Sequence, residues 1–169
     1  KLSTLRTPFK KEGGTVTAGN ASGVNDGASF TLLVSQKALD KYKLKPLCEI
    51  VDVAQVGIDP EVMGLSPAYA IEKLLSKNKM TFKDIDILEI NEAFAMVTML
   101  AVKELNLKME KVNINGGACA LGHPLGCSGS KLSVQLFNEM RRMGNAKHGM
   151  VTACVGGGQG VAGIYEFLK

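Results

Sequence analysis

From Leu47 onward the chain alternates short β-branched and apolar runs with longer amphipathic ones, and that order leaves few folds open. Leu47 to Gly57 reads as a strand. Pro67 to Asn78 reads as a helix, with Ala70, Ile71, Leu74 and Leu75 at helical spacing, and Ile85 to Ile90 as a short strand. Ala93 to Leu105 reads as an apolar helix, Lys111 to Ile114 as a third strand, and Ser128 to Arg142 as a helix with basic residues in its last turn. Gly149 to Cys154 and Gly160 to Phe167 close the chain as two strands around a glycine turn. The order βαβαβαββ predicts an α/β fold with a mixed five-stranded sheet covered by helices. Upstream, Ala28 to Val34 reads as a buried strand and Gln36 to Tyr42 as a short helix, whereas Lys1 to Gly14 is polar and carries no strong element.

In such sheets functional groups gather on loops beyond the carboxyl ends of strands, where Asn91, His123 and Cys154 all fall. The stretch Asn113 to Ser130 holds five glycines, a proline and one of only two histidines. Glycine costs entropy and packs nothing, so this density points to a backbone bent to present His123. Pro124 disfavours helical geometry at His123, which places the imidazole on a loop just before a helix. The alternative is a plain turn with an incidental histidine. A second glycine cluster, Cys154-Val-Gly-Gly-Gly-Gln-Gly160, reads either as a tight hairpin or as backbone N–H groups aimed at an oxyanion beside a thiol. Gly158 to Gly163 formally matches a dinucleotide fingerprint, but the strand that follows occupies the place of the required helix.

Each candidate also has a structural reading. Cys154 can be a small buried hydrophobe or a thiol working in acid/base chemistry with His123. Asn91 can cap a helix or hold a water or carbonyl oxygen. Met63 can fill a core or wall an acyl pocket, and His148 reads as a surface residue. Cys119, His123 and Cys127, four apart, invite a metal, but Pro124 and the glycines break the helix that would align them and a fourth ligand is missing, so no metal is expected.

With 169 residues, 46% of them hydrophobic, the chain is long enough for a real core. Its net charge of +4 is spread along the sequence without a polybasic block, which argues against nucleic acid and leaves an anionic small ligand as the better match. Four cysteines without CxxC pairing, no secretory leader and no membrane-length apolar run suggest a cytoplasmic protein. The chain opens without an initiator methionine, and a piece of something longer is expected.

Four segments are distinctive together: Val16-Thr-Ala-Gly-Asn-Ala-Ser-Gly-Val-Asn-Asp-Gly27, Asn91-Glu-Ala-Phe-Ala95, Asn115-Gly-Gly-Ala-Cys-Ala-Leu-Gly-His-Pro-Leu-Gly126 and Cys154-Val-Gly-Gly-Gly-Gln-Gly160. In that order they resemble the C-terminal part of the thiolase family, most closely its acetyl-CoA acetyltransferases. The resemblance implies a layered body of two similar halves: residues 1–22 would end the loop domain, 23–45 would be the last strand and helix of the N-terminal half, and 46–169 would form the C-terminal domain. It implies reversible Claisen condensation of two acetyl-CoA to acetoacetyl-CoA and CoA, with coenzyme A thioesters as substrates, no resident cofactor, and a homo-oligomer.

The resemblance also assigns roles. Ser22 would lie against the pantetheine, and Met63, Ala93 and Phe94 would line the pantetheine and acyl region. His123 would activate the nucleophilic cysteine and help bind the thioester oxygen, with Asn91 holding a water beside it. Cys154 would move the substrate's proton, and the Gly156 N–H would form part of a second oxyanion hole. Cys119 and Cys127 depart from the small or branched apolar residues usual in the family, and Gln159 stands where methionine is also common. The family's acyl-accepting cysteine lies in its N-terminal half, and none of the four cysteines stands in its place. The chain is therefore expected to be inactive alone, with an N-terminal thiolase half as partner. Two other readings are a non-catalytic interaction module and another condensing enzyme of the superfamily.

Overall fold

The computed structural model describes residues 1–168, and its centre is a hairpin of the last two strands. β3 (His148–Val155) and β4 (Gln159–Phe167) pair antiparallel from His148↔Glu166 to Val155↔Gln159. β1 (Cys48–Gly57) adds antiparallel to the free side of β4, and β2 (Ile87–Ile90) adds parallel to β3, giving a mixed sheet in the order β1-β4-β3-β2. The remaining elements are α1 (Gln36–Tyr42), α2 (Ser66–Lys77), α3 (Ala95–Glu104), the single turn α4 (Ala118–Leu121) and α5 (Ser128–Met143).

The sheet's two faces follow from the two-residue period of its strands. Leu88 and Ile90 of β2 and Met150 of β3 pack with Ile71 and Leu74 of α2 and Val97 and Ala101 of α3. Ile87 and Val151, one residue out of phase, pack instead with Leu132, Leu136 and Met140 of α5. Ile71, Leu74, Leu136 and Met140 are 0% exposed, and burying each such side chain contributes about 1.5–3 kcal/mol. α2 starts with Pro67 in its first turn, where the missing N–H costs nothing, and stops at Asn78, whose side-chain amide donates to Leu74 O at 2.9 Å. α5 ends at Gly144 in the left-handed region, φ 72°.

The α/β class and the mixed sheet are as expected, but the sheet has four strands rather than five. The segment read as a strand at 111–114 makes a single parallel bridge, Leu88↔Val112, after a 3-10 turn at Met109–Lys111. Asn113 then turns left-handed, φ 45°, which no strand tolerates. Its side chain completes the ladder in place of backbone: Oδ1 accepts the Ile90 N–H at 2.7 Å and Nδ2 donates to Ile90 O at 2.9 Å.

A second correction concerns Ala28 to Val34, which forms no strand. Its apolar residues are open to solvent, Phe30 at 92%, Leu32 at 80% and Leu33 at 73%. A strand is stable only when a neighbour takes up its N–H and C=O groups, and no other described segment pairs with this one. α1 does form where expected, with Ser35 Oγ accepting from Ala38 N–H. Among the described residues no helix is long and apolar enough to cross a membrane.

Candidate functional site

The site is built at the carboxyl ends of β2 and β3. Asn91, the first residue beyond β2, donates its backbone N–H to Thr152 O at 2.9 Å, so the parallel ladder runs one step further and fixes Asn91 two residues from Cys154. Asn91 is 2% exposed, and its Nδ2 lies 3.2 Å from His123 Nε2. An amide nitrogen only donates, so Nε2 must be the accepting, unprotonated nitrogen. The other side of the ring agrees. Nδ1 lies 2.6 Å from Ser128 Oγ, whose own hydrogen is given to Pro124 O at 3.0 Å, leaving the serine oxygen to accept from Nδ1–H.

The histidine is thus held as one tautomer, with its basic lone pair on the Asn91 side. Burial holds its pKa below the ordinary value, and the nearby positive charge of Lys131 adds to the effect. Lys131 is fixed there because its Nζ donates to Gly122 O at 2.7 Å, directly before the histidine.

Three further contacts shape the loop. Glu92 Oε2 accepts the Cys119 N–H at 3.0 Å. A Cβ at Gly117 would lie 2.3 Å from that same oxygen, so glycine is required for the approach. Burial first, and Glu92 second, push the Cys119 thiol up to about 11. From the other end of the sequence, Asn25 Oδ1 accepts the His123 N–H at 3.1 Å, and Val24 bridges His123 in parallel.

Cys154 sits near the end of β3, opposite Gly160 of β4, half-buried against the α2–α3 side of the core. Burial pushes its thiol pKa up, so the resting group is a protonated thiol. Among the described residues no hydrogen bond joins it to His123 or Asn91. Gly156 is exposed in the β3–β4 turn, with nothing within 4 Å of where a Cβ would lie.

The other residues singled out in the sequence gather on the Asn91 side. Ser22 N–H donates to Ala93 O at 2.9 Å, Ala21 bridges Phe94 antiparallel, and Phe94 packs against the core beside α3. Met63 is half-buried in the 3-10 turn Pro60–Leu65, which packs on α3 through Gly64 and Met96. Cys119, His123 and Cys127 turn to different partners: Glu92, the Asn91–Ser128 pair, and Ser29, whose Oγ lies 3.2 Å from Cys127 Sγ.

Four contributors are absent from the sequence reading: Asn25, Glu92, Ser128 and Lys131. Ser128 was within reach, since it opens the helix after a histidine loop. Asn25 carried no local signal because it looks like a turn residue and its partner is 98 positions away. Together these groups hold a neutral imidazole between an amide and a hydroxyl, an arrangement that can accept and return a proton, with a half-buried thiol near the end of the adjacent β3.

Comparison with known proteins gives a consistent result. The family model described as "Thiolase, C-terminal domain" matches residues 44–167, and "Thiolase, N-terminal domain" matches residues 1–37. An acetyl-CoA acetyltransferase from Chromobacterium violaceum is 53% identical over 161 residues, covering 95% of this chain and 41% of the relative. The mitochondrial 3-ketoacyl-CoA thiolase of Bos taurus is 49% identical, over 98% of this chain and 41% of its own length. Among solved structures, the Bacillus anthracis acetyl-CoA acetyltransferase superposes with TM-score 0.93 at 47% identity, covering 99% of this chain and 42% of the other. Human mitochondrial 3-ketoacyl-CoA thiolase in complex with CoA superposes with TM-score 0.89 at 44% identity, over 99% of this chain and 42% of its own. The chain spans about two fifths of the length of these relatives, 41% and 42% in the first of each kind.

Proposed function

The chain belongs to the thiolase family, and from that premise we propose that it is the C-terminal portion of an acetyl-CoA acetyltransferase, acting in the reversible condensation of two acetyl-CoA to acetoacetyl-CoA and CoA. Residues 46–169 belong to its C-terminal domain, 23–45 to the end of the N-terminal half, of which this chain forms the helix but not the expected strand, and 1–22 to the end of the loop domain. It works in the cytoplasm and, with its N-terminal half, as a homo-oligomer.

The observation that carries the reading is the His123 ring, clamped between the Asn91 amide and the Ser128 hydroxyl beside the strand end that bears Cys154. His123 Nε2 takes the proton of an acyl-accepting cysteine contributed by the N-terminal half, and that thiolate attacks the first acetyl-CoA. As the thioester carbon–sulfur bond breaks, the departing CoA thiolate takes the Cys154 proton. A thiol whose pKa burial has raised is a suitable resting acid for this step. The Cys154 thiolate then removes the α-proton of the second acetyl-CoA. The enolate attacks the acetyl-cysteine, the new carbon–carbon bond forms, and the first cysteine leaves as a thiolate that takes back the proton held on His123. Asn91, through a held water, and His123 stabilise the enolate oxygen, and the Gly156 N–H contributes to the hole that binds the oxyanion on the acetyl-cysteine. Ser22, Met63, Ala93 and Phe94 line the channel for the pantetheine and acyl group.

The exposed Phe30, Leu32 and Leu33 favour one other reading, a module that docks on a partner without catalysis. Thiolysis of acetoacetyl-CoA by CoA separates the two. The chain alone should be inactive and activity should appear on mixing with the N-terminal half of a thiolase. Robust activity from the chain alone would refute the split role, and a complex that forms without activity would leave the docking module.

A further inference from the structure

Residues Asn20 to Ser29 run as one strap across both turns that carry the proposed chemistry. Its first half follows the turn after Asn91: the Ala95 N–H donates to Asn20 O at 2.9 Å, and Ser22 N–H to Ala93 O at 2.9 Å. Its second half follows the histidine loop. Val24 bridges His123, and Asn25 Oδ1 accepts the His123 N–H at 3.1 Å. A Cβ on Gly27 would lie 2.7 Å from Pro124 Cγ, and Ser29 Oγ donates to Cys127 O at 3.0 Å. Only Gly23 separates the last bond to one turn from the first bridge to the other.

We propose that this strap holds the two turns in register and that Asn25 is a positioning residue for His123. The inference rests on the reading of His123 as the base. The physical argument is that the loop cannot orient the ring by itself. Gly116 at φ 92° and Gly122 at φ 87° sit in conformations only glycine adopts readily, and a glycine backbone has little preference of its own. The ring must nonetheless meet Asn91 from the sheet and Ser128 from α5 at once, at 3.2 and 2.6 Å. Two ring contacts from different elements are compatible only if the backbone of His123 is fixed as well. Asn25 provides that third point.

The seat is tight. A Cβ at Gly122 would lie 2.8 Å from Asn25 Oδ1 and 2.9 Å from its Cγ, so the amide plane lies directly on the residue before the histidine. The residue type fits as well. An amide oxygen accepts the backbone hydrogen without bringing a negative charge against an imidazole that must be neutral before it takes a proton.

The test is nitrogen-15 NMR of the full chain, following His123 amide exchange, ring tautomer and titration midpoint, with the amide exchange of His148 at the opposite end of β3 as internal reference. In Asn25→Ala the His123 amide should exchange about tenfold faster, as expected for one lost hydrogen bond. The ring should leave the single Nδ1–H tautomer, its midpoint should rise toward the ordinary value as burial is relieved, and the His148 amide should exchange as in the native chain. Asn25→Asp keeps the accepting oxygen and should restore amide protection while its charge raises the midpoint further. Wild-type exchange and tautomer in Asn25→Ala would overturn the proposal. So would an Asn25→Asp chain as unprotected as the alanine variant, or loss of the folded His148 signals in Asn25→Ala, which would make Asn25 part of the fold rather than of the site. None of these readouts requires turnover, so a failure of the proposed activity is told apart from a failure of the strap.

Discussion

The hairpin Cys154–Gly160 and the loop Asn113–Cys127 lie at the same end of the sheet and share a glycine-rich composition, yet different forces hold them. The hairpin is the closing turn of a regular ladder, Cys154↔Gly160 and Val155↔Gln159, with Gly157 at φ 89° and Gly158 at φ 86° making the reversal. It is braced by backbone, Ile58 N–H donating to Gly158 O at 2.7 Å. The loop has no ladder of its own. Asn113, Glu92, Asn25, Ser128 and Lys131 hold it by side chains from β2's exit, the strap and α5. A turn inside a ladder fails when its backbone shape is spoiled; a loop held by side chains fails one contact at a time.

The sharpest way to break that contrast is inside the hairpin. At Gly158 a methyl group would meet Ile58 O at 2.2 Å, a backbone atom that cannot rotate away, and the φ of 86° is unfavourable for any L side chain. Gly158→Ala should therefore cost about 4 kcal/mol, combining left-handed strain with overpacking, read as a lowered urea midpoint. Gly156→Ala, two residues earlier, has nothing within 4 Å of its new methyl and should stay within about 0.5 kcal/mol of wild type. Equal losses at the two positions would mean that the hairpin is not held by backbone fit.

A second effect belongs to the histidine side, where polar groups are buried under α5. Glu89 is 0% exposed, Gln135 Nε2 donates to its Oε2 at 2.9 Å, and Oε1 has no partner among the described residues. Burial pushes its pKa from 4.5 up to about 7, although Gln135 and the Lys131 charge on α5 pull the other way. The folded chain then holds a proton that the unfolded chain has released. Stability should fall as pH rises from about 4.5 to about 7 and level off above, by roughly 3 kcal/mol for this group. Urea unfolding across that window should show the slope in the native chain and lose this part of it in Glu89→Gln. An unchanged slope would show that Glu89 is charged in the fold.

How much of this was readable in the sequence divides along the same line. α2, α5 and the β3–β4 hairpin could be read because each depends on neighbours a few residues away: Ala70, Ile71, Leu74 and Leu75 make one face, and three glycines between two apolar runs make a turn. His123 stood out as one of only two histidines, set in a glycine-rich stretch, and Asn91 because it falls at the end of a strand. The tautomer of His123 could not be read, since Ser128 fixes it only after the helix start folds back on Pro124. The strand expected at Ala28–Val34 failed for a related reason: a largely apolar run says that a segment could be buried and paired, not which segment would pair with it.

The expected strand at 111–114 yields the smallest of the three effects and the most direct probe of how the loop is held. Val112 begins to pair with Leu88, and then the side chain of Asn113 replaces the backbone that a fifth strand would have supplied, meeting both the N–H and the C=O of Ile90. Ile90 is 0% exposed, so cutting Asn113 back to alanine leaves two buried backbone groups without partners and puts a Cβ without a local hydrogen bond at φ 45°. Asn113→Ala should cost about 2 kcal/mol by urea unfolding, most of it from the orphaned Ile90 groups. Amide exchange locates the damage. Ile90 should lose protection while Val161 and Ile164, on the far side of β3, keep theirs, because β3–β4 pairing does not pass through Asn113. If instead the whole sheet loosened together, the loop would be integral to the ladder, and the distinction between a turn held by backbone and a loop held by side chains would fall.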